Sequence, residues 1–141
     1  MLKFVFLTFF PYICPMVIKI LLLMILAHII DDFVLQPVCL SNLKQKSWWL
    51  KQKEFKSLYK HDYKMALLIH SMSWSIMILV PCMFLLNISG GMLLSAFLVN
   101  TLIHYLVDNE KANMGHLNLM ADQTFHLMQI LVTWAVLCQW W

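Results

Sequence analysis

A histidine and an aspartate recur four residues apart at three places in this chain: His28/Asp32, His104/Asp108 and Asp122/His126. On an α-helix, positions i and i+4 lie one above the other on the same face. Each pair therefore aims two donors at one point. Neutral imidazole together with carboxylate is a donor set suited to Zn²⁺, Mn²⁺ or Fe²⁺, and a carboxylate beside a ligating histidine orients its second ring nitrogen. His70 adds a fourth imidazole. The candidate metal ligands are His28, Asp32, His70, His104, Asp108, Asp122 and His126. A metal-bound water would be activated as hydroxide, as at other hydrolytic metal sites. Asp31 is then the candidate general base. Lys111 is the candidate for neutralising a phosphate or carboxylate of the substrate, a role open to Lys44 as well.

The elements that must position these groups are written in the hydropathy. Of the 141 residues, 62% are hydrophobic and 12% charged, about half the charged fraction of a soluble domain. Mean hydropathy is +0.75. The expected fold is all-α: a polytopic membrane bundle of about four transmembrane helices in one domain. The spans are read over residues 16–36, 65–86, 92–107 and 119–141. Pro37 ends the first, because the residue before a proline leaves helical geometry. Pro81 lies inside the second, and Asn87–Gly91 reads as the turn after it. Residues 1–15 read as an apolar N-terminal extension, and 16–141 as the bundle. The four cysteines have no metal-site spacing.

Seven of the ten basic residues, all of them Lys, lie in the segment 39–64 with Trp48, Trp49 and Tyr59. This segment reads as a solvated, topology-setting loop with amphipathic character. The positive-inside rule makes it cytoplasmic and both termini external, with Trp140 and Trp141 at the outer interface. The polar groups of all four spans then share one layer, mostly within roughly 12 Å of the inner face at 1.5 Å rise per residue. The implied location is a bacterial inner (cytoplasmic) membrane, crossed several times. The implied partners are the lipid bilayer and an amphiphilic or lipid-linked substrate. Nucleic acid is not expected, and a homo-oligomer is compatible with the sequence.

Ionisable groups inside spans are costly and mark function or pairing. A metal-dependent hydrolase competes here with two other classes. One is a metal or proton transporter, which needs a polar path through the outer halves, where Lys19 and Thr133 are the exceptions to an apolar composition. The other is a non-enzymatic membrane accessory whose polar layer only holds the bundle, with Lys44 or Lys111 pairing the aspartates.

The run Leu26-Ala27-His28-Ile29-Ile30-Asp31-Asp32-Phe33-Val34-Leu35-Gln36, with Lys44 following, resembles the start of the DUF3307 family of small bacterial and phage membrane proteins. The likeness continues through Leu67-Leu68-Ile69-His70, His104, Asp108, Lys111, Asp122-Gln123 and His126, and covers roughly residues 22–135. It leaves out residues 1–15 and the Trp-rich loop. The resemblance implies an integral membrane protein and carries over no activity. A more distant analogy is to inner-membrane proteins described as metal-dependent hydrolases, which also bring His and Asp to one membrane face.

Overall fold

A computed structural model describes residues 15–51 and 58–139 of the chain. The expectations for residues 1–14, Lys53, Lys56, Trp140 and Trp141 lie outside the described residues. Six α-helices are present among those described: α1 (Pro15–Ile29), α2 (Val38–Leu43), α3 (Lys46–Lys51), α4 (Asp62–Leu85), α5 (Gly90–Asn109) and α6 (Leu119–Cys138). No strand occurs among them. Two stretches, Asp62–Leu85 and Gly90–Met114, are long and apolar enough to cross a membrane.

The four long helices form a ring in which each packs against two neighbours: α1 on α4, α4 on α5, α5 on α6 and α6 on α1. Each neighbouring pair runs antiparallel. Met24 of α1 meets Cys82 late in α4, while His28, further along α1, meets Trp74 earlier in α4. Trp134 near the end of α6 donates its indole N–H to the Val17 carbonyl near the start of α1. The connections explain the order. Only Leu86–Ser89 separate α4 from α5, and short links force antiparallel neighbours. The Ser89 side chain accepts from the Met92 N–H and the Asn118 side chain from the Ala121 N–H, so α5 and α6 both start on a side-chain cap.

Polar side chains make up as much of the interior as apolar ones: among the described residues, fourteen buried side chains are polar or charged and thirteen, counting Pro81, are apolar. The outward faces are apolar: Leu22 and Leu26 on α1, Ile76 and Phe84 on α4, Leu94 and Leu102 on α5, Met128 and Val132 on α6 are all exposed. Such a surface is far more apolar than a soluble monomer displays. The interior is divided along its length. One end holds the ionisable groups. The other is an apolar core of Ile20, Met24, Ile78, Leu79, Cys82, Ile130 and Leu137, with Trp74 between the two. Asn100 ties α5 to α6 at mid-depth by accepting from Gln129 (2.8 Å) and Thr133 (3.0 Å).

Several boundaries differ from the sequence expectation. Gly90 and Gly91 belong to α5, because Ser89 caps the helix ahead of them. The third helix continues past Val107, as so short a span requires, but at Asn109 it passes into a π-helix, Glu110–Met114, in the stretch before the fourth span. It ends at Gly115, whose φ of 71° is left-handed. The helix α4 runs through Pro81, inside the span read for it. The Lys-rich segment is not wholly a solvated loop. Its first part forms α2 and α3, and Lys44 between them is buried.

A Cβ at Gly115 would meet no atom within 4 Å, so the cost of Gly115→Ala is backbone strain alone. That substitution is expected to lower unfolding stability by about 1–2 kcal/mol, read by denaturant titration in detergent micelles.

Candidate metal centre

The site is built from two helix irregularities and a buried loop lysine. At the end of α1 the backbone widens into a π-helix, Ile30–Leu35. The i→i+5 turn is looser than the α turn and recurs at functional sites. Here it lets the adjacent Asp31 and Asp32 both reach the interior, where Asp31 is 2% exposed. At the end of α5 the second π-helix carries Lys111 back toward α6, where its Nζ donates to Asp122 Oδ2 at 2.5 Å. Lys44 Nζ donates to Asp108 Oδ2 at 2.7 Å and to Gln36 Oε1 at 3.0 Å. Its backbone is held in place from α5's extension: Asn113 Nδ2 donates to the Lys44 carbonyl, and Asn113 Oδ1 accepts the Lys46 N–H.

The seven candidate ligands, Asp31 and Lys111 all meet at this one end of the bundle. His70 Nε2 lies 3.5 Å from Asp32 Oδ1 and 3.5 Å from Asp108 Oδ2. His126 Nε2 lies 3.4 Å from both Asp108 Oδ1 and Asp122 Oδ1. His104 sits at the centre, its ring stacked on His126 with centroids 4.2 Å apart and on Trp74 at 4.3 Å. Asp32, His70 and His104 present donor atoms within 4.8 Å of one another, and so do His104, Asp108 and His126. Donors around a tetrahedral zinc stand roughly 3.3 Å apart at its usual bond lengths, so small side-chain rotations would close either trio on an ion.

The bonding of these atoms is incomplete. Both ring nitrogens of His104, both of His126, Asp32 Oδ1, Asp122 Oδ1 and Asp31 Oδ2 are buried with no aligned hydrogen-bond partner. The 3.4 Å approaches to His126 do not have hydrogen-bond alignment. Native interiors leave few such atoms unpaired, and each costs about 1–3 kcal/mol or more. The charges are also uneven. Asp31, Asp32, Asp108 and Asp122 bring four carboxylates, and Lys44 and Lys111 bring two ammonium groups. With all four imidazoles neutral the site would carry a formal charge of −2; one divalent cation would cancel it, as would protons on His70 and His126, whose Nε2 atoms each lie within 3.5 Å of two carboxylates.

A cavity of about 400 Å³ opens above this layer. Asp32, His70, Asp108 and Asp122 line its floor, with Gln36, Lys44, Lys111 and Gln123 around it and Phe33 and Leu119 as apolar walls. Not every candidate reaches it. Asp31 lies behind His70, with Oδ2 3.8 Å from His70 Nδ1 and Oδ1 accepting from Ser73 Oγ at 2.8 Å. Asp31 is absent from the cavity lining, so the base role expected of it draws no support from this geometry. His28 is also set back, with both ring nitrogens engaged: Trp74 Nε1 is 2.8 Å from Nδ1, and Gln123 Oε1 is 3.1 Å from Nε2. His61 and His116 are exposed and stand apart. Trp74 was not legible as part of the site, although its position four residues after His70 places it on the same face of α4.

A family model described as "Protein of unknown function (DUF3307)" matches residues 20–140 of the chain. No curated protein and no solved structure gives a significant match.

Lys44 and Asp108 are nearly inaccessible, their side chains 9% and 6% exposed, and removing one partner of a buried pair strands the other charge. Lys44→Met is expected to cost roughly 3–5 kcal/mol of stability. The double variant Lys44→Met/Asp108→Asn is expected to recover a large part of that loss in the same micelle unfolding assay.

Proposed function

This chain belongs to the DUF3307 family, and we propose that it is a four-span membrane protein that uses a bound divalent metal, zinc or manganese, to hydrolyse an amphiphilic, anionic substrate at the inner leaflet. The observation that carries the reading is the layer of buried donor atoms without hydrogen-bond partners. Both nitrogens of His104 and of His126, with Asp32 Oδ1 and Asp122 Oδ1, lie in it, and leaving them unpaired is costly, a cost that a bound ion would remove.

Of the two donor trios, Asp32–His70–His104 suits catalysis, because Asp32 and His70 face the cavity. The trio of His104, Asp108 and His126 lies deeper, and His104 and His126 are fully buried. When bound, the metal would lower the pKa of a water so that hydroxide forms at neutral pH. The chain's own groups supply the rest. Asp122 lines the cavity, and its carboxylate would be the group to hold a proton there. Lys44 and Lys111 present ammonium groups to an anionic substrate. Phe33 is 60% exposed and walls the cavity, which suits an acyl or prenyl chain entering from lipid.

The four-span arrangement is supported by α1 with its π extension and by α6. Each contributes about 20 residues, or about 30 Å of helix, the thickness of a hydrocarbon core. A transporter is less well supported. Beyond Trp74 the interior is the apolar core around Met24 and Ile78, and Lys19 is exposed on the outside of α1. The accessory reading draws on the Lys44–Asp108 and Lys111–Asp122 pairs, but these leave the nitrogens of His104 and His126 without hydrogen-bond partners.

Elemental analysis of protein purified in detergent without chelator is expected to find one divalent transition metal per chain, lost in His104→Ala. Metal-free protein that also gains no stability from added Zn²⁺ or Mn²⁺ would remove the hydrolase reading. Orientation has its own check. Cys39 is exposed at the Lys-rich end, so with the other cysteines replaced, a membrane-impermeant maleimide is expected to label it in inverted vesicles and not in intact cells.

A further inference from the structure

We infer that His28 is not a metal ligand but the middle of a one-way hydrogen-bond relay, from Trp74 through His28 and Gln123, that clamps two site carboxylates. The direction follows from one group. An indole N–H can only donate. Trp74 Nε1 lies 2.8 Å from His28 Nδ1, so Nδ1 accepts and carries no proton. A neutral ring then carries its proton on Nε2, which faces Gln123 Oε1 at 3.1 Å. This orients the Gln123 amide, whose nitrogen donates to Asp122 Oδ2 at 3.1 Å and to Asp32 Oδ2 at 3.4 Å. One donor thus sets a tautomer and an amide orientation that are otherwise ambiguous.

The consequence is a division of labour among the four histidines. His28 has no lone pair left for a cation. His104 and His126 have both nitrogens unpartnered, and His70 faces the cavity. The relay leaves Asp32 Oδ1 and Asp122 Oδ1 as the free oxygens of their carboxylates, so it turns one oxygen of each toward the site. Trp74 serves twice, since its ring also stacks on His104 with planes 24° apart. The relay rests on hydrogen-bond geometry alone; the positioning role that follows from it rests on the metal reading above.

Two measurements separate these levels. Nitrogen-15 NMR of histidine-labelled, chelator-treated protein in micelles is expected to show His28 as the Nε2–H tautomer, with the Trp74 indole N–H signal shifted by its bond. Trp74→Phe keeps the stacked ring and removes the donor, so the His28 tautomer preference should fade. In the Zn²⁺-loaded protein, Trp74→Phe and His28→Gln should weaken Zn²⁺ binding by roughly 10–100-fold. His28→Gln, which can still donate to Gln123, should weaken it less than His28→Leu. X-ray absorption at the zinc edge should report the same number of imidazole ligands in His28→Gln as in the wild type. An Nδ1–H tautomer at His28 would overturn the relay, and loss of one imidazole from the zinc shell would overturn the positioning role. Failure of the wild type to bind Zn²⁺ would remove both the metal reading and the positioning role, while the tautomer measurement still decides the relay.

Discussion

Four carboxylates held inside a ring of apolar helices are the constraint around which the rest of this molecule is arranged. Moving an ionised carboxylate out of water costs several kcal/mol even after relaxation. Each aspartate has accordingly drawn a cation or donor to itself. Asp108 has Lys44, Asp122 has Lys111 and Asp31 has Ser73. Asp32 has the amide of Gln123 and the His70 ring. The unusual backbone follows from the same demand. The two π-helices stand where Asp31 and Asp32 must both turn inward and where Lys111 must reach back to α6.

Polar and apolar interiors then divide the bundle along its axis. The end near Lys44 holds the charged groups and the open cavity. The far end is packed with aliphatic and sulfur-containing side chains, including the Met24–Cys82 contact at 3.7 Å. Trp74 and the Asn100–Gln129–Thr133 bonds form the boundary. The pocket is open at one end and closed at its base by this apolar packing.

Much of this was readable from residue spacing. The three i, i+4 pairs of His and Asp marked the inward face of α1, α5 and α6, because a helix keeps those positions in register. Pro37 lies at a helix end, as its chemistry requires. What could not be read was tertiary. A π-helix has no sequence signature separate from the α-helix it interrupts, so the inward turn of both Asp31 and Asp32 could not be foreseen. Lys44 could be singled out as a partner for an aspartate, but only the fold shows that Asp108 is the one. The donor role of Trp74 depends on His28 lying across the helix interface. Spacing along one helix reveals which groups share a face. It does not reveal which partner on another helix consumes their lone pairs, and that is what separates His28 from His104.

The central proposal is a metal cation seated among His104, His126, Asp108, Asp32 and His70. Anomalous X-ray scattering at the zinc and manganese edges, from crystals of protein purified without chelator, tests it most directly. The account predicts a single strong peak within bonding distance of His104 and at least one of those carboxylates. A map with no peak in this layer, from protein whose His and Asp side chains are well ordered, would contradict it.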